Sequence, residues 1–140
     1  MSKRVAIIVS SDAGYRGERE DKSGPEIKRI VEENGYEVVS TVILPDEQEM
    51  LENEMKKIAD ENLAELILTT GGTGFSMRDC MPEATIAVTE RIVPGIPEAM
   101  RAYSMQFTKR AMLSRATAGI RKQTLILNLP GSPKAVRECL

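Results

Sequence analysis

The sequence predicts a three-layer α/β/α sandwich with a mainly parallel sheet, and two features of the chain lead to this fold class. Short runs of β-branched apolar residues alternate with segments that have the apolar spacing of amphipathic helices. The first run, residues 5–9, has no polar alternation, which is typical of a strand buried on both faces of a sheet. The length of 140 residues fits a single domain, residues 1–140.

The first part of the chain supplies two strands and the helix between them. Residues 5–9 form the first predicted strand, and a polar loop follows it. Ser23 and Glu26 have the S-x-x-E spacing of a capping box, which predicts a helix start, and Gly35 is expected to end that helix. The β-branched residues 38–44 form the second predicted strand.

A second helix, a third strand and a third helix are predicted next. Asp46 and Glu49 repeat the capping spacing, so Asp46 is expected to cap the second helix. Residues 63–70 supply the third strand, and a glycine-rich segment follows it. A further helical segment is expected from Pro82 to about Arg91.

The last third of the chain is less regular. The P-G-I-P segment at residues 94–97 is expected to break the preceding helical segment, and a further helix is expected over residues 98–113. Residues 123–129 form the last predicted strand, with residues 114–120 as its candidate hairpin partner. A short final helix is expected to end near Leu140. Helices between parallel strands must cover both faces of the sheet, because such crossovers are right-handed.

Composition excludes several classes of function. A net charge of -2, a pI near 5.4 and 4% aromatic residues give neither a basic surface nor many stacking platforms, so nucleic-acid binding is disfavoured. No apolar run approaches the ~20 residues that a membrane span needs, so the sequence predicts a cytoplasmic protein. Cys80 and Cys139 have the spacing of neither a redox pair nor a zinc site, and both thiols are expected to be reduced.

Histidine is absent from the chain. Without it there is no Ser-His-Asp or Cys-His nucleophile system and no His-ligated transition metal. Acid, base or metal chemistry must therefore use aspartate, glutamate and lysine, and these favour a hard cation such as Mg²⁺.

The glycine-rich segment T-T-G-G-T-G-F-S-M-R-D, residues 69–79, suggests a backbone shaped around an anion. It matches neither a P-loop nor a dinucleotide fingerprint, because no Lys-Ser or Lys-Thr pair follows and the glycine spacing differs. Adjacent glycines let backbone N–H groups approach a phosphate, although they also make an ordinary tight turn. The hydroxyl groups of Thr69, Thr70, Thr73 and Ser76 favour binding over a simple turn.

Polar residues follow the carboxyl ends of the predicted strands, where ligands bind in open parallel sheets. Asp12, Asp46 and Asp79 follow the first three strands. Asp46 has an alternative role as a helix cap, and Asp79 as a partner of Arg78. A carboxylate pair facing a phosphate cradle fits a Mg²⁺ site for phosphoryl or nucleotidyl transfer.

Other candidate residues are less specific. Asn128 with P-G-S at residues 130–132 follows the last strand. Asp21 and Ser23 flank a loop that is either a solvated connection or a mobile cover over the cleft. Ser114 lies at a helix-to-strand junction, where capping explains it as well as ligand contact does. Cys80 is expected to pack without a chemical role.

The longer motifs resemble a known family. T-T-G-G-T-G-F-S-M-R-D-C-M-P-E-A-T, P-G-I-P-E-A-M-R, L-S-R-A-T-A-G-I-R and L-I-L-N-L-P-G-S-P-K-A-V, in this order, are similar to the molybdenum cofactor biosynthesis family of the MogA/MoaB type, which includes the G domain of gephyrin. The resemblance covers the chain from Val5 onward and implies the Rossmann-like fold of those proteins. The R-D-x-x-P-E-A-T segment resembles active molybdopterin adenylyltransferases more than the MoaB branch.

The resemblance implies that the terminal phosphate of molybdopterin attacks the α-phosphate of Mg-ATP, which gives adenylyl-molybdopterin and pyrophosphate. It implies that Asp46 and Asp79 are the catalytic carboxylates and position Mg²⁺. It further implies nucleotide and pterin contacts at Asp12, Ser23, Gly71, Gly72, Thr73, Gly74, Ser114, Asn128, Pro130, Gly131 and Ser132.

Partners are implied as well: a homotrimer or hexamer, and a separate protein that inserts molybdenum. The non-catalytic alternatives are a molybdopterin-binding module and an oligomeric scaffold. The chain departs from relatives at Arg121-Lys122-Gln123, where many have Arg-Gly-Lys, and it stops at Leu140, short of a final helix that many of them carry.

Overall fold

The computed structural model describes residues 3–139, with side chains through Arg137. The six strands are β1 (Arg4–Ser10), β2 (Glu37–Leu44), β3 (Leu66–Thr70), β4 (Arg91–Ile92), β5 (Ala118–Arg121) and β6 (Thr124–Leu129). The helices are α1 (Asp12–Tyr15), α2 (Ser23–Glu33), α3 (Gln48–Asp60), α4 (Met81–Val88), α5 (Gly95–Ser104) and α6 (Pro133–Cys139), with a 3₁₀ helix at Lys109–Leu113. The expected end near Leu140 and the thiol of Cys139 lie outside what the structure describes.

The six strands form one mixed sheet in the order β2-β1-β3-β6-β5-β4. The first four strands of this order are parallel, and β5 and β4 add antiparallel pairs at one edge. The predicted α/β class and mainly parallel sheet are confirmed. Because β1, β3 and β6 are neighbours, their carboxyl ends meet at one rim of the sheet.

Two apolar layers lie on opposite faces of the sheet, as alternation along each strand requires. Ala6 and Ile8 of β1 pack with Ile67 of β3 under α3 and α4. Val5, Ile7 and Val9 face the other way, and that layer includes residues of α2, α5 and α6. The three-layer sandwich therefore follows from an interior strand whose residues 5–9 are all apolar, so that both faces of the sheet are covered.

Two predicted helices are wrong in extent. The segment expected to be helical to Arg91 ends at Val88, and the two residues of β4 pair with β5 instead. The P-G-I-P segment lies after the break between α4 and α5, but α5 already begins within it at Gly95, because the first helical turn has N–H groups without intrahelical partners and so tolerates proline. This helix ends at Ser104, and Thr108 then caps the separate 3₁₀ helix.

Both predicted capping residues have other partners. Ser23 does not cap α2; Asp21 accepts hydrogen bonds from the backbone N–H groups of Ser23 (3.1 Å) and Gly24 (3.2 Å). The N-cap position of α3 is occupied by Glu47, the residue after Asp46, and no side chain caps this helix. The predicted hairpin of β5 and β6 is confirmed, and Lys122 has φ +52 in its turn.

Within residues 3–139, no helix combines the length and apolarity needed to cross a membrane.

Candidate active site at the carboxyl rim of the sheet

A cleft of about 640 Å³ opens at the rim where the parallel strands end. We call it the aspartate cleft, because Asp46 from the β2–α3 loop and Asp79 from the β3–α4 loop both line it. The other predicted site residues on its wall are Ser23, Gly71, Gly72, Gly131 and Ser132. The structure thus brings together residues that are spread over most of the sequence.

Asp46 is held by the residues at the end of β1. Its Oδ1 accepts a hydrogen bond from the Ser10 hydroxyl (2.5 Å), and its Oδ2 accepts one from the backbone N–H of Asp12 (3.3 Å). In return, the backbone N–H of Asp46 donates to Oδ1 of Asp12 (2.9 Å). This reciprocal pair joins two neighbouring loops and replaces the capping role expected for Asp46.

Asp12 stands behind the cleft instead of on its wall. Arg78 donates to both of its carboxylate oxygens, from Nε to Oδ2 (3.0 Å) and from Nη2 to Oδ1 (2.9 Å). These bonds, and then the backbone bond from Asp46, lower the pKa of Asp12 to about 2. Asp12 is therefore ionised at neutral pH, with its oxygens engaged by protein groups.

Gly71 allows the β3–α4 loop to pass close to β1. It has φ +89, a conformation that side chains rarely adopt, and a Cβ at this position would overlap the carbonyl oxygen of Ser10. Ser10 is also the residue that binds Asp46. The glycine turn therefore has a structural requirement of its own, in addition to any contact with an anion.

The Asp79 loop is closed by its own hydrogen bonds. Oδ2 of Asp79 accepts from the backbone N–H of Ser76 (3.0 Å), and the backbone N–H of Asp79 donates to the Ser76 carbonyl (3.0 Å). A Cβ on Gly74 would lie 2.9 Å from the same Oδ2, so glycine leaves room for this carboxylate. Arg115 ties both ends of the loop, because it donates to the carbonyls of Gly74 (2.7 Å) and Asp79 (3.0 Å).

A second cavity of about 400 Å³ lies on the other side of the glycine turn. We call it the apolar cavity, since Phe75, Pro97, Met100 and Leu113 contribute to its wall. Four of the predicted site residues line this cavity and not the aspartate cleft: Thr73, Gly74, Ser114 and Pro130. The predicted site is therefore divided between two cavities.

Asn128, like Asp12, is a predicted site residue that lines neither of the two cavities. It is 0% exposed, and its amide nitrogen donates to the hydroxyls of Thr69 (3.0 Å) and Thr85 (2.9 Å). Its oxygen accepts from the backbone N–H of Thr117 (3.1 Å). All of these bonds lie within the protein and give Asn128 a buried structural role, while its ligand contact stays a prediction.

The threonine hydroxyls before the glycines are also engaged. Thr69 is 0% exposed and binds Asn128, and Thr70 donates to the carbonyl of Pro130 (2.6 Å). They therefore do not supply the free donors that the sequence suggested. Ser23 donates to the carbonyl of Gly131 (2.5 Å), which fixes the start of α2 against the loop after β6.

Sequence reasoning missed several residues of the site. Ser10, Arg19 and Lys22 line the aspartate cleft, and Arg78 and Arg115 hold its loops. Ser10 could have been found from its place directly after a buried strand, in the same S-S-D run as Asp12. The signal for Arg19 and Lys22 was weaker, since basic residues in a polar loop are usually solvated.

The donor set of the cleft suits a Mg²⁺ ion shared with a ligand. The described residues contain no group of three or more His, Cys, Asp or Glu side chains that could hold a metal alone. Asp46 and Asp79 are the residues that could bind one, and Mg²⁺ commonly uses one or two carboxylates together with substrate phosphates and waters.

Cys80 packs against the core, and burial raises the pKa of its thiol, as expected for a residue without a chemical role.

The fold is an α/β/α sandwich with a cleft at the carboxyl ends of its parallel strands, which is where proteins of this class commonly bind ligands. Residues 6–140 match the family described as a probable molybdopterin binding domain, and the chain belongs to this family.

Relatives support this membership over nearly the whole chain. The molybdopterin adenylyltransferase of Helicobacter pylori (strain J99) is 41% identical over 143 residues, which cover 97% of this chain and 78% of that protein. The protein of the same name from Escherichia coli (strain K12) is 41% identical over 140 residues, 98% of this chain and 71% of that one.

Among solved structures, the molybdopterin biosynthesis enzyme MoaB from Thermus thermophilus superposes with a TM-score of 0.93 and 46% identity. The match covers 99% of this chain and 87% of that chain. The family predicted from the motifs is thus confirmed. Since relatives carry both names, the closer resemblance to active enzymes than to the MoaB branch stays a prediction.

Proposed function

We propose that the chain is a molybdopterin adenylyltransferase in molybdenum cofactor biosynthesis, with residues 1–140 forming one molybdopterin-binding domain. An oxygen of the terminal phosphate of molybdopterin forms a bond to the α-phosphorus of ATP. The bond from that phosphorus to the bridging oxygen of the β-phosphate breaks. Adenylyl-molybdopterin and pyrophosphate are the products.

One observation carries the proposal: Asp46 and Asp79, from two separate loops, line a single cleft together with the Gly71-Gly72 turn. Two carboxylates beside a half-buried glycine turn match what nucleotidyl transfer requires, since positioning and charge stabilisation provide most of the catalysis. Relatives at 41% identity that are named for this reaction support the same conclusion.

The residues divide the work by position. Asp46 and Asp79 would hold Mg²⁺, which when bound neutralises charge on the reacting phosphates. The backbone N–H groups of Gly71 and Gly72 face the polyphosphate, and Arg19 and Lys22 supply positive charge on the same wall. The apolar cavity beyond the turn accepts the flat ring system of one substrate.

Assembly and partners belong to the same proposal. The chain forms a homotrimer or hexamer in the cytoplasm and passes its product to a separate protein for molybdenum insertion. Exposed apolar side chains fit an oligomer, among them Phe75 (70% exposed), Met77 (102%) and Met112 (60%). Light scattering on the purified protein measures the mass of the assembly, and a monomer at micromolar concentration would contradict this part.

The test is an assay of pyrophosphate release with purified protein, molybdopterin and Mg-ATP, with each substrate omitted in turn as a control. We expect release only when both substrates are present. Binding of molybdopterin without release would replace the enzyme by a binding module. If the protein shows no binding of molybdopterin and no release of pyrophosphate, the proposed function is rejected.

A further inference from the structure

Arg78 is the residue directly before Asp79, yet it is not among the described residues that line the aspartate cleft. Its side chain turns toward the loops after β1 and β2. There it binds Asp12 through two nitrogens and Glu47 through Nη2 (3.2 Å). We propose that Arg78 is a positioning residue, which holds the Asp46 loop and the Asp79 loop in one arrangement across the cleft.

The contacts of Arg78 reach Asp46 by two routes. Arg78 binds both carboxylate oxygens of Asp12. Asp12 in turn accepts a hydrogen bond from the backbone N–H of Asp46 (2.9 Å) and donates its own backbone N–H to Oδ2 of Asp46. Glu47, the other partner of Arg78, is the next residue in the chain after Asp46. The backbone of Arg78 leads directly into Asp79. A single guanidinium therefore connects the positions of both carboxylates.

The guanidinium is suited to this role by its shape. A planar fork binds both oxygens of a carboxylate and fixes direction as well as distance, whereas a lysine ammonium supplies only a point charge. The side chains of Arg78 and Asp12 are 54% and 24% exposed, so the ion pair is screened and contributes little to folding stability. Its loss should affect catalytic geometry more than the melting temperature.

The chain contains a matched control for this argument. Arg121 binds Asp60 through the same two-nitrogen fork, from Nε (2.9 Å) and Nη2 (3.0 Å), and also joins segments far apart in sequence. Arg121 ends β5 and Asp60 ends α3, and neither lines a described cavity. Removing either arginine breaks a two-nitrogen ion pair and one further hydrogen bond, to Glu47 for Arg78 and to the carbonyl of Val88 for Arg121, but only Arg78 is connected to the Asp46 and Asp79 loops.

The experiment rests on the proposed function and compares Arg78→Ala, Arg78→Lys and Arg121→Ala with the unmodified protein. We expect Arg78→Ala to lower kcat for pyrophosphate release by about 10- to 100-fold, the size expected for a misplacement of ~1 Å. The KM values for ATP and molybdopterin should stay within about 3-fold, since substrate contacts on the cleft wall remain. Arg78→Lys should lower kcat by a similar factor, because an ammonium group cannot form the two-nitrogen contact. Arg121→Ala should keep kcat within about 2-fold of the unmodified protein, and its melting temperature should be similar to that of Arg78→Ala.

A double-variant cycle adds a second readout. Asp12→Asn breaks the same link as Arg78→Ala, so the double variant should lose no more kcat than the larger single loss. Additive losses, or an Arg78→Ala kcat equal to that of Arg121→Ala, would overturn the positioning role.

Failure of the proposed function can be told apart from failure of this inference. If the unmodified protein releases no pyrophosphate, amide hydrogen exchange still tests the link. Faster exchange at the N–H groups of Asp12 and Asp46 in Arg78→Ala, and not in Arg121→Ala, supports the positioning role. Unchanged exchange in both variants would overturn it.

Discussion

Replacing Gly71 by alanine tests the close approach between the glycine turn and β1. Gly71 has φ +89, and Gly35, at the end of α2, has φ +88. A Cβ on Gly71 would overlap the Ser10 carbonyl, whereas a Cβ on Gly35 would meet no atom within 4 Å. The two substitutions therefore share the backbone penalty and differ in the steric one.

The magnitudes follow from these two contributions. A non-glycine residue in the left-handed region costs roughly 1–2 kcal/mol, which is the whole effect expected for Gly35→Ala. Overlap in a packed region adds about 1–3 kcal/mol, so Gly71→Ala should cost about 2–5 kcal/mol. At about 4 °C per kcal/mol, the melting temperature should fall by about 4–8 °C for Gly35→Ala and about 8–20 °C for Gly71→Ala.

Activity should separate the two variants further. Relief of the overlap moves the Ser10 carbonyl by an amount on the order of 1 Å, and the Ser10 hydroxyl holds Asp46. We expect Gly71→Ala to lose up to ~100-fold in kcat for pyrophosphate release and Gly35→Ala to keep it. Thermal melts and the release assay measure both effects. Equal stability losses with full activity in Gly71→Ala would refute the steric reasoning.

Three further predictions concern acidic residues. Asp79→Asn should lower pyrophosphate release by at least ~100-fold while the variant still binds molybdopterin, and unchanged turnover would remove Asp79 from the mechanism. Asp46→Asn should lose turnover, although the amide oxygen can still accept the hydrogen bond from Ser10, and normal turnover would contradict the catalytic role; because asparagine caps a helix about as well as aspartate, a pure capping role would leave both turnover and melting temperature unchanged. The hydrogen bond from Arg4 lowers the pKa of Glu65 from 4.5 to about 2, so the ion pair stabilises the fold above pH 4.5, and this contribution is lost as the pH falls toward 2. The difference in melting temperature between the unmodified protein and Glu65→Gln should therefore shrink over that range, and a constant difference would contradict the assignment.

The interior strands were predictable because burial on both faces leaves an unbroken apolar run, as in residues 5–9, whereas the two exposed residues of β4 give no such pattern. The helix caps were not, because their true partners come from distant parts of the chain. The Ser23 hydroxyl binds the carbonyl of Gly131, which is 108 positions away, and Asp46 binds Ser10, which is 36 positions away. A local S-x-x-E or D-x-x-E spacing contains no information on such contacts.

The location of the site could be predicted from the sequence, but the proximity of its residues could not. Ligands bind at the carboxyl rim of parallel strands, so the loops carrying Asp46 and Asp79 were expected to meet if their strands were close. Strand order decides that, and a single sequence does not reveal it. The sequence did not reveal that Asn128 is fully buried, because its hydrogen-bond partner Thr85 lies on α4, 43 positions away.

The glycine turn forms a wall common to the two cavities. Gly71 and Gly72 face one side, and Thr73 and Gly74 face the other. The same backbone turn thus borders the aspartate cleft and the apolar cavity, so a change in the shape of one is expected to change the shape of the other. If evolution moved this turn to fit a larger ligand in one cavity, the same movement would alter the binding of the ligand in the other.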